Sequence, residues 1–272
     1  MVNKQVTATP DVKHFHDINI KAAKDAGNIL RDKRDKHRDI KFKGSADLVT
    51  DADTASEEFI VDLLSSEFPE HSIVAEEGSD RQLESDYVWI IDPLDGTTNY
   101  AHNFPVYCVS VGLMYREQLI SGVVYNPVLD ETFSAIAGEG AYLNGQRIEV
   151  SRSDQLKNSL LATGFPYDKT ESEIDNINYF SAFTKRIRGI RRAGAAALDM
   201  VHVACGRLDG YWELKLKAWD IAAGALIVKE AGGEVSGFHG EKLDIFEGRI
   251  VASNGKIHAQ MVDIIKGVDE KG

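Results

Sequence analysis

Three short segments of this 272-residue sequence place carboxylates where they could act together. Glu76 and Glu77 follow the apolar run SIVA, and Asp92-Pro93-Leu94-Asp95-Gly96-Thr97-Thr98 follows YVWI. Asp220 follows Trp219 at the head of DIAAGALIVKEAGG. In the second segment Pro93 fixes φ and is expected to take the chain out of its strand after Asp92. Gly96 permits a tight turn and a close approach of backbone to a ligand. Asp92 and Asp95 can then fold toward one point, with the Leu94 carbonyl between them. Two carboxylates and a carbonyl form a hard-oxygen set suited to Mg²⁺. Thr97 and Thr98 fall at a helix start, whose free N–H groups suit a phosphate. Asp-Pro and Asp-Gly are also the marks of an ordinary turn, and this segment by itself leaves both readings open.

The elements that must position these acids are readable from periodicity. Residues 1–13 read as a loose tail. From Phe15, the residues Ile18, Ala22, Ala23, Ala26, Ile29 and Leu30 form one helical stripe, and the mixed charges of RDKRDKHRD end it. IKFKGSADLVTDAD reads as a strand leading into a turn. A second helix opens at Asp53-Thr54, with Phe59, Ile60, Leu63, Leu64 and Phe68 as its stripe. Glu57 and Glu58 lie in its early turns, where negative charge is favoured. SIVA and YVWIID are apolar strands, each delivering acids at its C-terminal end.

From Tyr107 to Val150 the chain reads as an antiparallel sheet, with Asn144-Gly145 as a hairpin turn. Beyond about residue 150, strands at SLLATGF, IRGIRRAG, GYWEL and IVASN alternate with helices. Those helices are expected at 172–187, 196–205, 219–231 and from 257 onward. The sequence contains no repeat, low-complexity stretch or flexible linker.

Composition narrows the classes. Hydrophobic residues at 43% and charged residues at 27%, with only 6 Pro, describe a globular chain. Forty-three acids against 31 bases give a formal net charge of -12, which disfavours a general nucleic-acid partner. An acidic surface suits a protein that concentrates divalent cations, and it also simply favours solubility. The 2 cysteines, Cys108 and Cys205, are far apart, which excludes a disulfide framework and a Cys-rich zinc site and leaves both as small buried hydrophobes. The 8 His show no metal-ligand spacing. No apolar run reaches the roughly 20 residues of a membrane helix, and the N-terminus has no apolar signal core. The expectation is a soluble cytoplasmic protein.

DPLDGTTNY followed by HNFP, with AEEG upstream and WDIAAG downstream, resembles the inositol monophosphatase family of metal-dependent, lithium-sensitive phosphatases. DLVTDAD, GVVYNP, GEGAYLNG and RRAGAAALD match as well, so the resemblance runs from about Phe15 to the last helix. It implies a layered αβαβα sugar-phosphatase fold of α/β (α+β) class, with a large antiparallel sheet and a second mixed sheet. Residues 14–150 would carry most metal ligands. Residues 151–268 would carry the substrate contacts and the last ligand, the whole forming one compact unit.

By the same resemblance two to three Mg²⁺ ions are held by Glu76, Asp92, the Leu94 carbonyl, Asp95 and Asp220, with Asp53 supporting a weaker ion through water. Asp92 bridges two ions. Thr97 and Glu76 position the attacking water, and the Gly96 and Thr97 N–H groups hold the phosphate. Gly194, Ala195, Ala196, Glu213 and Asp220 face the ring of the substrate. Asp51 is expected to be a solvated cap and Glu77 a supporting acid. Trp219 is expected to pack so as to orient Asp220. Arg191 and Arg192 are open between a second phosphate and a subunit contact.

The implied activity is hydrolysis of inositol 1-phosphate by metal-activated water, with no phosphoenzyme, in a homodimer without nucleic-acid or membrane partners. Alternatives within the superfamily are fructose 1,6-bisphosphate, other sugar phosphates, histidinol phosphate and nucleotide 3′-phosphates. From other classes come a fold retained for binding after loss of catalysis, which the intact acids oppose, and a nucleotide-binding protein. GEGAYLNG opposes the latter because it lies between strands.

Overall fold

The computed structural model describes residues 11–34, 40–42, 48–168, 172 and 174–270. In chain order its elements are α1 (Val12–Arg34), β1 (Ile40–Phe42), β2 (Leu48–Thr50), α2 (Asp51–Glu67), β3 (Ser72–Ala75), β4 (Tyr87–Asp95) and α3 (Thr97–Ala101). There follow β5 (Cys108–Tyr115), β6 (Gln118–Asn126), β7 (Glu131–Ile136), β8 (Gly140–Leu143), β9 (Gln146–Ile148) and β10 (Leu160–Thr163). The remainder is α4 (Ile177–Thr184), β11 (Gly189–Arg191), α5 (Ala196–Ala204), β12 (Gly210–Leu214), α6 (Ala218–Glu230), β13 (Glu234–Ser236), β14 (Arg249–Ser253) and α7 (His258–Asp269).

β3 to β9 pair in chain order as one seven-stranded sheet. Only β3 and β4 are parallel; every later pair is antiparallel. The second sheet has the order β11-β10-β12-β14-β13 and is mixed. α1 and α2 cover one face of the large sheet with a core around Trp89, Tyr100 and Tyr125. α5 and α6 lie between the two sheets. α4 and α7 close the outer face of the small one around Trp212 and Phe183. The five layers are therefore the expected αβαβα.

α6 explains how the two sheets meet. Ile221 through Val228 are all buried, so the helix is apolar all round, as a helix between two layers must be. It approaches the large sheet at two glycines. A Cβ on Gly112 would stand 2.9 Å from the Ala222 Cβ, and one on Gly122 would stand 2.9 Å from the Ala223 carbonyl oxygen. Burying Ile221, Leu226, Ile227 and Val228 contributes roughly 1.5–3 kcal/mol each and fixes the helix that carries Asp220.

The expected stripes are present. α1 buries Ala22, Ala23, Ala26 and Leu30, and α2 buries Ile60 and Leu64. The Asn144-Gly145 turn has positive φ at both residues, 49° and 76°, and joins β8 to β9.

Several expectations are corrected. The first helix begins at Val12, inside the expected tail; residues 1–10 and 35–39 lie outside the described residues. IKFKGSADLVT contains two short antiparallel strands, β1 and β2, rather than one, and its central Lys43–Asp47 lies outside the described residues. Pro93 does not end its strand. β4 runs on to Asp95 through a bulge, with Asp92 opposite Ser110 and Asp95 opposite Cys108. The bulge removes the need for a ladder bond from the proline.

The helix expected at 172–187 begins only at Ile177. Asn176 sits before it with φ 73° and is buried. Its amide donates to Thr163 Oγ1 at 2.8 Å and accepts from the Trp212 indole N–H at 2.8 Å. Those tertiary bonds hold Asn176 in the left-handed region, where a helix cannot pass. The short edge strand β13 had no clear periodic signal.

Candidate active site

The acids converge because three elements meet at one place. β3 hands on Glu76, and the bulge of β4 presents Asp92 and Asp95. The first turn of α6 presents Asp220. Ligand atoms of Asp92, Asp95 and Asp220 all lie within 4.8 Å of one another. The Glu76 carboxyl is hydrogen-bonded to Asp92 and is a neighbouring negative charge for it. Thus four of the five expected metal-binding residues meet through their side chains. The fifth, Leu94, is buried beside them, and its carbonyl accepts from Thr97 Oγ1 at 3.1 Å.

Each carboxylate is individually fixed. Asp92 Oδ1 accepts the Leu94 N–H at 3.0 Å. Asp220 Oδ2 accepts the Lys217 N–H at 2.6 Å, capping its own helix. Asp95 is held by the start of α5, with Oδ1 accepting the Ala196 N–H at 3.1 Å and Oδ2 the Ala197 N–H at 2.8 Å. The Cys108 thiol adds a donor to Asp95 Oδ2 at 3.5 Å. Consequently the Ala196 N–H, expected to face a substrate ring, is taken up by a metal-ligand candidate instead. Ser110, opposite Asp92 on β5, donates from its hydroxyl to the Trp219 carbonyl at 3.2 Å. This ties the start of α6 to the large sheet, and Trp219 itself packs on the core between the sheets.

Burial and mutual repulsion raise these groups. Asp92 is pushed well above the usual carboxylate range, by burial first and then by Glu76, Asp95 and Asp220. Asp220 is pushed up to about 8, by burial and then by Asp95. Asp95 rises only to about 6, because the N–H groups of α5 and the Cys108 thiol oppose its burial. A cluster of buried, hard-oxygen, like-charged groups is unfavourable without a cation and has the donor set of Mg²⁺. The described residues therefore fit that ion.

Thr97 is the first residue of α3, after Gly96 with φ 95°. Its hydroxyl stands 3.1 Å from both Asp53 Oδ1 and the Leu94 carbonyl oxygen. Asp53 is fully buried on α2. Two further residues of the same helix face were not singled out by sequence. Ser56 donates to the Pro93 carbonyl at 2.9 Å. Glu57 accepts the Glu77 N–H at 2.7 Å and the Ser79 N–H at 3.0 Å, clamping the loop that carries Glu76. Asp53, Ser56 and Glu57 continue, as polar groups, the stripe that Ile60 and Leu64 extend as apolar ones. The i, i+3, i+4 spacing was the available signal. Asp51, by contrast, is exposed and paired with Lys33 at 2.7 Å.

The expected substrate residues form the next wall. Glu213 on β12 accepts a hydrogen bond from the Tyr211 hydroxyl. Its value is pushed up to about 7 by burial, against the pull of Tyr211 and Arg192. Gly164 makes room for it, since a Cβ there would lie 2.0 Å from Glu213 Oε1. Both arginines are exposed, but the Arg192 guanidinium lies beside the Gly194 turn, where a Cβ on Gly194 would stand 2.6 Å from it, and its charge acts on Glu213 and Asp199. Gly194 has φ 86° and begins the turn Gly194-Ala195-Ala196 that leads into α5. Asp199, buried in the first turn of α5, is raised well above its usual range by burial and then by Glu213 and Asp95; sequence reasoning did not single it out. Among the described residues no helix is long and apolar enough to cross a membrane.

Known proteins resemble the chain over nearly all of its length. The inositol monophosphatase family matches residues 11–270. An inositol-1-monophosphatase of Synechocystis sp. is 45% identical over 95% of this chain and 91% of its own length. The Nus factor SuhB of Pseudomonas aeruginosa is 42% identical over 92% of this chain and 94% of its own. The solved inositol monophosphatase of Anabaena superposes with a TM-score of 0.87 at 41% identity, covering 94% of this chain and 97% of that one. Fold, sequence and an acid cluster suited to phosphate chemistry agree, and the chain belongs to the inositol monophosphatase family, as a phosphatase.

Proposed function

We propose that the protein is a Mg²⁺-dependent phosphomonoesterase that hydrolyses inositol 1-phosphate to inositol and phosphate. The observation that carries this reading is the meeting of Asp92, Asp95 and Asp220 within 4.8 Å, beside the wall formed by Glu213 and the Gly194 turn. Glu76, Asp92, the Leu94 carbonyl, Asp95 and Asp220 would hold two to three ions, with Asp53 supporting one through water. When bound, the ions neutralise phosphate charge and lower the pKa of water.

The chain's own groups do the rest. With the Leu94 carbonyl turned to an ion, the single proton of the Thr97 hydroxyl would go to Asp53 Oδ1 alone, leaving its lone pairs to accept a proton from a water. Asp53, buried and held by Thr97, is then the oriented acceptor of that relay. The N–H groups of Gly96 and Thr97 hold the phosphate. The Glu213 carboxylate accepts a hydrogen bond from a ring hydroxyl, and Asp220 lies on the side of the leaving oxygen. No side chain is needed as nucleophile, so no phosphoenzyme forms.

The reading takes residues 14–150 and 151–268 as two parts of one unit, with the site at their junction. On the family resemblance it also takes the protein as a Li⁺-inhibited cytoplasmic homodimer. Fructose 1,6-bisphosphate, other sugar phosphates, histidinol phosphate and nucleotide 3′-phosphates are the alternative substrates. The relatives named Nus factor SuhB favour, as a second reading, a Nus-factor role; the complete acid set argues that catalysis is kept beside it.

Phosphate release across a panel of these esters, with Mg²⁺ and after chelation, decides the matter. Inositol 1-phosphate should give the highest kcat/KM, and activity should vanish on chelation. Undiminished turnover in chelator would overturn the metal assignment, and a stronger preference for another ester would reassign the substrate.

A further inference from the structure

Asn99 lies on α3, two residues after Thr97, and no step above uses it. Its side-chain Nδ2 is 2.8 Å from the Val106 carbonyl, 2.9 Å from the Ala193 carbonyl and 3.2 Å from the Gly194 carbonyl. Three carbonyl oxygens can be met only by the amide's NH₂ end, so chemistry fixes the orientation of the side chain. One N–H serves Val106 and the other is shared by Ala193 and Gly194.

These bonds cross the molecule. Asn99 and Val106 belong to the part of the chain that presents the phosphate turn, whereas Ala193 and Gly194 lie almost a hundred residues later, in the turn proposed to face the substrate ring. The backbones are already in contact there. A Cβ on Gly96 would be 2.9 Å from the Val106 carbonyl oxygen and 3.3 Å from that of Gly194, and one on Gly194 would be 3.3 Å from Asn99 Nδ2. At its far end the same turn enters α5, whose Ala196 and Ala197 N–H groups grip Asp95. The turn is thus pinned at both ends: by a metal-ligand candidate on one side and by Asn99 on the other.

We propose that Asn99 is a positioning residue for substrate selection, setting the distance between the Gly96–Thr97 phosphate turn and the Gly194–Ala196 wall. The inference rests on the proposed action on a hydroxyl-rich phosphomonoester. A substrate that touches both the turn and the wall needs that distance held; one that offers only a phosphate and a flat aryl group does not. The donors of Asn99 are all taken by backbone carbonyls, so through them it acts on the two turns and not on the ligand.

The test uses N99A, which removes both donors, and N99S, which keeps one, in the full-length protein with saturating Mg²⁺. Hydrogen exchange followed by mass spectrometry should speed up in the peptide spanning Ala193–Leu198 in N99A, less so in N99S, with peptides of α6 and the small sheet unchanged. In steady-state kinetics, kcat/KM for inositol 1-phosphate should fall about five- to tenfold more than for 4-nitrophenyl phosphate, through KM, as expected for one or two lost hydrogen bonds. The Mg²⁺ concentration for half-maximal activity should stay within about twofold of the parent. Equal falls on both esters would reduce Asn99 to a purely structural residue, and unchanged exchange at 193–198 would overturn the positioning role. If the parent enzyme itself ignores inositol 1-phosphate, the proposed substrate fails, and the exchange measurement alone still decides the role of Asn99.

Discussion

The acid cluster makes a prediction about stability whose sign can be worked out. A carboxyl whose value is raised in the folded chain holds its proton more tightly there than when unfolded. It therefore favours the folded state at low pH, and that contribution is lost as pH rises through the folded value. Asp220 at about 8, against 3.8 when unfolded, and Glu213 at about 7, against 4.5, should both act this way in metal-free protein. Histidine would confuse the measurement at lower pH. His16, His71 and His258 are lowered by burial, and His202 is lowered to about 4. Unfolded histidines take up protons below about pH 6.5, which penalises the folded chain there. The clean window is thus about pH 7.5 to 8.5, where all four are essentially neutral in both states.

Across that window the unfolded chain holds essentially no carboxyl protons, while Asp220 and Glu213 release theirs in the folded one. Integrating the release gives a loss of about 0.7 kcal/mol from Asp220 and about 0.1 kcal/mol from Glu213, discounted for the surface both keep in water. Asp92 and Asp199, also raised, act in the same direction. Urea unfolding in EDTA, monitored by circular dichroism, measures it. The midpoint should fall from about pH 7.5 to 8.5 at unchanged slope. D220N should lose about 0.7 kcal/mol less than the parent over the same interval. Excess Mg²⁺ should flatten the dependence, because a bound cation stabilises the ionised acids. Stability that is flat or rising in EDTA, or a D220N variant as pH-sensitive as the parent, would refute the electrostatic reading of the cluster.

Three further outcomes follow from the same geometry. D95N and D220N should each lower kcat by ~100-fold, about 3 kcal/mol of barrier, with native circular dichroism; near-normal turnover in both would sink the metal-site assignment. E213Q should cost roughly 1.5–3 kcal/mol in kcat/KM on inositol 1-phosphate and far less on an aryl phosphate, and an equal loss on both would move Glu213 out of the substrate wall. E57Q should lose about one charge-assisted hydrogen bond, roughly 1.5–3 kcal/mol, and raise the Mg²⁺ concentration for half-maximal activity by loosening the loop of Glu76; an unaltered Mg²⁺ requirement would show that the clamp does not reach the metal site.

How legible the site was depends on whether its logic is local. Asp92, Leu94, Asp95 and Thr97 fall within six residues, and Asp220 opens a helix with an unmistakably apolar body, so composition and spacing exposed them. The layers were legible for the same reason: periodicity reports which face is buried. The contacts of Asp53, Ser56 and Glu57 were obscured because polar and acidic residues in the first turns of a helix are favoured there whatever they touch. Their burial is decided by loops 20 to 44 residues away in sequence. Pro93 misled because a proline usually ends a strand, whereas here a bulge accommodates it. Asn176 stopped α4 through bonds to Thr163 and Trp212 that no local pattern announces.

The positions of the acids also explain why the fold carries a cluster that disfavours its own folded state. Glu76, Asp92 and Asp95 hang from the large sheet, Asp220 from the helix between the two sheets, and Glu213 from the small one. Apolar packing of α6 against Gly112 and Gly122 brings these carriers together before any ion is present, and it does so without relieving the charge. Protons can relieve it only in part, since each one removes a ligand. A cation would relieve it while leaving every carboxylate ionised, so a bound ion would strengthen the joint between the large sheet and α6 that apolar packing has already made. Metal affinity and the cohesion of the two halves should then rise and fall together, with the substrate wall following because the start of α5 is fastened to Asp95 itself.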